Sequence, residues 1–201
     1  MRKVHIYLID TRKLTFNEIV SLCSLNEEDV SSLSKYKVLD VKKEKAVSLY
    51  FRKKYIGEVS ITEYGKPISS HIFFNISHSK GVVVLATCLD CDIGVDVEII
   101  RESHDDLARY ISNDYEYSQI KTEIDFYSVW TSKESIVKCL GTGLKNDIKS
   151  IPSLPFDGVK EYKGVTYFSK IKRIGDVIIS TTIRGNEDFD IELTLEGISH
   201  E

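Results

Sequence analysis

Asp96 and Glu98 stand two residues apart in Gly94-Val95-Asp96-Val97-Glu98, inside a β-branched run. On a strand, residues i and i+2 share a face, so both carboxylates point one way while Val95, Val97 and Ile99 point into a core. Two carboxylates held close repel each other unless a cation sits between them. Hard oxygen donors so arranged suit Mg²⁺, which keeps several waters and often joins substrate phosphates. The plainer alternative is a polar strand face turned to solvent.

A second group lies in Trp130-Thr131-Ser132-Lys133-Glu134-Ser135-Ile136-Val137-Lys138. Trp130, Glu134 and Lys138 recur at i, i+4, i+8 and stack along one helical stripe, with Lys133 beside it. A Trp there is expected to be mostly buried, which sets Glu134 at the edge of a core, where a carboxylate needs a partner. Either Lys138 is that partner, or Glu134 is a third oxygen ligand with Lys133 or Lys138 near phosphate oxygens. Spacing leaves both open.

The third group is Ser77-His78 in Asn75-Ile76-Ser77-His78-Ser79. Neighbours on an extended chain diverge, so they form no nucleophile–base dyad, and there is no G-x-S-x-G elbow. A hydroxyl and an imidazole both donate to phosphate oxygens. Alternatively, Ser77 caps a helix and His78 is exposed. Lys66, in the turn Gly65-Lys66-Pro67, is either a point charge for a phosphate or an ordinary surface lysine. Walker A and G-x-G-x-x-G fingerprints are absent, which removes the ATPase and dinucleotide-enzyme readings.

The positioning elements follow from pattern. Residues 3–9 read as a strand, 16–24 and 41–56 as helices, and Glu63–Pro67 as a turn. Residues 82–89 and 93–99 read as strands, with Leu89-Asp90-Cys91-Asp92 turning a hairpin between them. Helical signals run over 104–140. Asp125 is expected to N-cap a helix from Phe126 to about Leu140, ended by Gly141 and Gly143. Alternating segments follow near 164–171, 175–183 and 189–195. Strands and helices mixed in each half predict an α+β fold.

The chain of 201 residues is long enough for one sizeable domain or two small ones. No stretch approaches the ~20 apolar residues of a membrane helix. The first ten residues read as a strand, not a signal peptide, so a cytoplasmic protein is expected. A net charge of −4 argues against a nucleic-acid binder. Residues 35–54 carry eight basic and two acidic side chains, and residues 90–134 twelve acidic and four basic. That asymmetry suits an anionic ligand beside a metal site, or reflects two solvated faces. Cys23, Cys88, Cys91 and Cys139 read as small buried residues. Cys88 and Cys91 form a C-x-x-C pair without the further ligands of a zinc site, and no role is assigned to it.

The three segments together, in this order, resemble the signature of the 4′-phosphopantetheinyl transferases of the larger, monomeric, surfactin-synthetase-activating type. The resemblance runs from Tyr64-Gly65-Lys66-Pro67 to Gly141-Thr142-Gly143-Leu144. It implies a pseudo-twofold monomer of two similar α+β halves, residues 1–100 and 101–201, with coenzyme A in the cleft between them. It implies Mg²⁺-dependent transfer of 4′-phosphopantetheine from coenzyme A to a serine of an apo acyl or peptidyl carrier protein, releasing 3′,5′-ADP. On this resemblance Asp96, Glu98 and Glu134 are the metal ligands. His78 and Lys138 contact the pyrophosphate, Ser77 a phosphate, and Lys66 the nucleotide's phosphates, with Lys133 nearby. Glu134 is the leading base. Glu116 is the second, in Ser112-Asn113-Asp114-Tyr115-Glu116-Tyr117, which resembles F-S-x-x-E-Y with one residue inserted and leaves Asp114 open. The family's Arg-rich 3′-phosphate segment is Lys-rich here, at Lys42, Lys43 and Lys45. Lys43 and Lys45 are the candidates. A non-catalytic relative and another Mg²⁺-dependent phosphoryl enzyme are the competing readings.

Overall fold

The computed structural model describes residues 2–102, 105–143 and 148–197, so Leu144, where the motif-bearing stretch ends, lies outside the described residues. The chain opens with strand β1 (Arg2–Asp10) and helices α1 (Phe16–Leu22), α2 (Glu27–Ser32) and α3 (Leu39–Phe51), the last continued by a π-helical turn over Arg52–Ile56. Short strands β2 (Ser60–Ile61) and β3 (Pro67–Ile68) flank the Gly65 turn. Strands β4 (Phe73–Ser79), β5 (Val82–Cys88) and β6 (Ile93–Ile99) follow, then helices α4 (Asp105–Ile111), α5 (Asp114–Gln119) and α6 (Glu123–Leu140). Strands β7 (Gly158–Tyr162), β8 (Val165–Ile174), β9 (Val177–Arg184) and β10 (Phe189–Leu195) complete the described fold, which is α+β. Ser77 lies within β4, not at a helix cap.

Helix α6 starts earlier than expected. Thr122 is its N-cap: the Thr122 hydroxyl accepts from Asp125 N while the Asp125 carboxylate accepts from Thr122 N. This reciprocal box satisfies two end donors, so Asp125 sits inside the first turn as the cap's partner. At the other end Gly141 takes φ +80°, the left-handed geometry that stops a helix without a Cβ clash.

Two four-stranded sheets result, in the orders β10-β1-β5-β4 and β6-β9-β8-β7. β10 runs parallel to β1, from Arg2 opposite Phe189 to Leu8 opposite Leu195. The expected β5–β6 hairpin does not form. β1 and β4 occupy both edges of β5, so no backbone edge is left, and β6 pairs with β9 in the other sheet.

Alternation along β5 then builds two cores, and α6 builds a third. Val82, Val84 and Ala86 meet Val95, Val97 and Ile179 between the sheets. Val83 and Leu85 meet Ala46, Val47 and Phe51 beneath the early helices. Ile136, Val137 and Phe126 of α6 pack with Tyr167 and Ile178 on the outer face of the second sheet. The layers run helix, sheet, sheet, helix. Among the described residues no helix is long and apolar enough to cross a membrane.

Gly94 fixes how closely α6 lies on β6. A Cβ at Gly94 would stand 2.1 Å from Ser135 O and 2.3 Å from Cys139 N, both backbone atoms. Ser135 Oγ meanwhile lies 2.7 Å from Thr182 Oγ1 and 3.0 Å from Ser180 Oγ on neighbouring β9. Gly94→Ala is expected to cost about 3 kcal/mol or more, at or above the upper end for an overpacked core. Urea unfolding checks this; a midpoint like the wild type's would mean that α6 can lift off β6 at no cost.

Candidate functional site

The close approach at Gly94 sets the geometry two residues further on. Asp96 and Glu98 share the Gly94 face of β6, as the strand alternation predicted, and that face looks at α6. The stripe of α6 turned towards them carries Trp130, Glu134 and Lys138, each only partly buried. Trp130 is buried over most of its surface, as expected, and packs at the margin of the α6 core.

Asp96 is 5% exposed. Its Oδ1 accepts from Lys138 Nζ at 2.6 Å and from Ser77 Oγ at 2.9 Å, and Lys138 Nζ also donates to Ser77 Oγ at 2.8 Å. Its Oδ2 is buried and has no hydrogen-bond partner among the described residues. Burial pushes the Asp96 carboxyl upward, against the pull of Lys138, and Glu98 pushes it further. Glu98 Oε2 accepts from Ser79 Oγ at 2.5 Å. Glu134 is driven up to about 7, first by burial and then by the negative charge of Asp96 and Glu98. Three acids are thus close enough to repel one another, and one buried oxygen of Asp96 lacks a donor. That orphan oxygen and the hard donor set fit a divalent cation such as Mg²⁺. The three are more open than a closed cage: among the described residues, Cys88, Asp90 and Cys91 are the one group of potential ligand residues whose atoms all lie within 4.8 Å of one another.

The lysines divide. Lys66 donates to Cys139 O at 2.9 Å, near the C-terminal end of α6, where a cation complements the helix dipole. Its side chain crosses Gly141, where a Cβ would meet Lys66 Cδ at 2.7 Å. Lys66, Tyr64, Asn75, Glu134 and Lys138 line one cleft of about 260 Å³. A second cavity, of about 330 Å³, is lined by Lys35, Tyr36, Lys45 and Arg52, and Pro67 borders both. Lys45 Nζ lies 3.3 Å from His78 Nε2, and His78 Nδ1 lies 3.0 Å from Glu44 Oε2. Glu44 is itself buried and accepts from Gly81 N at 2.8 Å. Burial lowers the His78 pKa, as do Lys45 and Lys138, against Glu44 and Glu98. The exposed His78 ring thus bridges Glu44 and Lys45, and Lys45 lines the second cavity.

Three expected site residues are placed elsewhere. Lys43 is buried, with Nζ 3.4 Å from Thr11 O, on the core side of α3. Lys133 is fully buried and donates to Ile148 O and Ile151 O at 3.1 and 2.6 Å. It also forms an ion pair with Glu116 at 2.7 Å. Glu116 is equally enclosed: one carboxylate oxygen accepts from Ser153 N and Oγ, the other from Asn113 N. A carboxylate so occupied has no lone pair left for an incoming substrate, so the base assignment to Glu116 is withdrawn, as is the phosphate contact of Lys133. Sequence reasoning did not single out Lys35 and Arg52, which line the second cavity. A signal was present: Lys45, Ser48 and Arg52 recur at i, i+3, i+7, one face of a helix, and all three line the same cavity.

The comparisons agree with the motif resemblance. A model of the 4′-phosphopantetheinyl transferase superfamily matches residues 92–176. The chain is 36% identical over 95 residues to the 4′-phosphopantetheinyl transferase gsp of Aneurinibacillus migulanus, covering 44% of this chain and 40% of that protein. It is 34% identical over 108 residues to the 4′-phosphopantetheinyl transferase Sfp of Bacillus subtilis strain 168, covering 49% and 44%. It is 32% identical over 95 residues to the 4′-phosphopantetheinyl transferase AcpT of Salmonella typhi, covering 42% and 50%. The chain thus resembles this superfamily, with matches that span half or less of each relative's length. The matched stretch of the family model holds Asp96, Glu98, Glu134 and Lys138, and stops short of Lys66, Ser77 and His78.

Glu116→Ala strands a buried lysine charge and is expected to destabilise the fold by ~3–5 kcal/mol, the range for breaking a buried pair. Urea unfolding of Glu116→Ala beside Glu134→Ala separates the pillar from the cleft, because Glu134→Ala should cost far less. The raised carboxyl of Glu134 has its own signature. Above its ordinary 4.5 the unfolded chain has released this proton, while the folded chain keeps it up to about 7. The folded state binds the extra proton, so stability falls as pH rises between those values. Asp96 acts in the same direction. Glu134→Gln should flatten that fall in a stability–pH profile; an unchanged slope would mean that Glu134 titrates normally.

Proposed function

We propose that this chain is a 4′-phosphopantetheinyl transferase that uses coenzyme A, a divalent cation and an apo carrier protein. The observation that carries the reading is the set of three acids with the unpartnered, buried Asp96 Oδ2, opening beside a cleft that runs to a cationic cavity. Names of similar proteins add support over the central residues.

Asp96, Glu98 and Glu134 are the residues that would hold Mg²⁺, which when bound neutralises charge on a pyrophosphate and eases loss of its nucleotide half. Lys138 now compensates Asp96. With a cation on the carboxylates, its ammonium is available to phosphate oxygens, together with Ser77 and His78 at the seam. Lys45, Lys35 and Arg52 suit the multiply charged nucleotide end, and Lys66 holds the wall between the two spaces. Glu134, placed beside the reacting group as one of the cation's ligands, takes the proton of the carrier serine as its oxygen attacks phosphorus. The bond from that phosphorus to the bridging oxygen breaks, and 3′,5′-ADP leaves with the electron pair.

The two halves, proposed as residues 1–100 and 101–201, trade strands: β6 joins the second sheet and β10 the first, and the two sheets meet where β4 faces β6. Each sheet with a long helix against it supports a pseudo-twofold relation between them, and a chain with both sides of the cleft is expected to work as a monomer. A cytoplasmic setting belongs to the same proposal.

The test is intact-protein mass spectrometry of an apo carrier protein after incubation with this chain, coenzyme A and Mg²⁺, with an EDTA control. The carrier should gain one phosphopantetheine, and EDTA should abolish the gain. Asp96→Ala and Glu134→Ala should remain folded yet abolish modification. Wild-type turnover in Glu134→Ala would defeat its assignment. Release of 3′,5′-ADP without carrier would favour a phosphodiesterase instead.

A further inference from the structure

Cys88 ends β5, and Cys91 lies three residues on, in the loop that carries the chain from one sheet to the other. Their Sγ atoms are 2.9 Å apart, and Cys88 Sγ donates to Asp90 Oδ1 at 3.2 Å. Arg2 Nε reaches both oxygens of Asp90, at 3.0 and 3.1 Å, which sets a guanidinium beside the thiols. The other two cysteines differ in setting: Cys23 belongs to the core under α1–α3, and Cys139 donates to Asp92 O at 3.4 Å. The contact with Cys91 draws the Cys88 thiol down to about 7, against burial and the Asp90 carboxylate, whereas Cys91 is pushed up, first by the same contact and then by burial. One sulfur is thus prepared to ionise while its neighbour keeps its proton, the division of labour between an attacking and a resolving thiol. The roles found for the carboxylate cleft use neither.

We propose that Cys88 and Cys91 form a peroxide-responsive dithiol, in which Cys88 is oxidised first and Cys91 resolves it to an intraloop disulfide. The Cys88 thiolate attacks one oxygen of hydrogen peroxide and the O–O bond breaks. Cys88 becomes a sulfenic acid, and the other oxygen takes up a proton and leaves as water. The Cys91 sulfur, losing its proton, then attacks Cys88 Sγ. The S–O bond breaks, the S–S bond forms, and a second water departs. Two electrons pass from the thiols to the peroxide. The oxidant has to be small, because Cys88 is 2% and Cys91 8% exposed. The sulfurs, 2.9 Å apart within one short loop, have to close to about 2.05 Å for the bond. The inference stands apart from the proposed transfer reaction.

The experiment treats the purified full chain with graded hydrogen peroxide, alkylates the remaining thiols, and maps peptides by mass spectrometry. The wild type should lose two hydrogens, regain them with dithiothreitol, and yield one peptide two hydrogens lighter that carries an internal Cys88–Cys91 bond. Cys91→Ser should stop at a Cys88 sulfenic acid that dimedone captures, while Cys88→Ser should give no dimedone adduct at Cys91. First oxidation at Cys23 or Cys139 would overturn the proposal. So would a Cys91 adduct in Cys88→Ser, or folded wild type whose four thiols remain fully alkylatable. Zinc bound to the purified chain, with thiols unreactive until it is chelated, would also overturn it in favour of a metal site. The wild-type peptide map decides the matter even where a serine variant does not fold.

Discussion

Everything at the cleft depends on a seam in which side chains stand in for a backbone ladder. β4 and β6 are edge strands of different sheets, and they face each other without pairing. Asn75 Oδ1 accepts from Val95 N at 3.0 Å, and Ser77 Oγ lies 3.4 Å from Val97 N. Ser79 completes the row by donating to Glu98. Asn75, Ser77 and Ser79 alternate, so one face of β4 supplies all three. Backbone donors of β6 that would otherwise be stranded are satisfied, and unpaired buried amides are costly. β6 keeps its ladder to β9 on one edge, and its other edge sets Asp96 and Glu98 at the junction of the two sheets.

Helix α6 separates two electrostatic tasks by angle. Lys133 and Lys138 are five residues apart, which at 3.6 residues per turn puts them on nearly opposite sides. Lys133 points inward to a closed pair with Glu116, sealed by Ser153 and the Ile148 and Ile151 carbonyls. Every atom there is matched, so the group fixes the helix. Lys138 points to the cleft, where its partner Asp96 keeps an unmatched oxygen. A satisfied buried network is rigid; an unsatisfied one favours a bound cation. The contrast between the pairs separates the structural lysine from the one available to a ligand.

Much of the site was legible in local pattern. The shared face of Asp96 and Glu98, the stripe of Trp130, Glu134 and Lys138, and the Gly141 stop all follow from strand and helix periods. Legibility ended where a residue's neighbour comes from another element. Lys133 lies next to Glu134 in sequence but not on its face. Glu116 matched a motif, yet its oxygens are consumed by Ser153 and Lys133. Lys43 and Lys45 are two apart on a helix, so one turns to the core and the other to the cavity.

The sequence by itself determined the α+β class, the main elements, the resemblance over the central residues and which acids share a face, because these depend on short-range periodicity and residue chemistry. Only the tertiary structure decided that β6 leaves β5 for a second sheet, since that depends on which edges of β5 are already occupied. Only it decided that Cys88 and Cys91 touch, that Trp130 lies at the margin of a core, and that Asp96 is left with an oxygen no side chain serves. Each depends on what stands across a packed interface, and one-dimensional spacing carries no record of that.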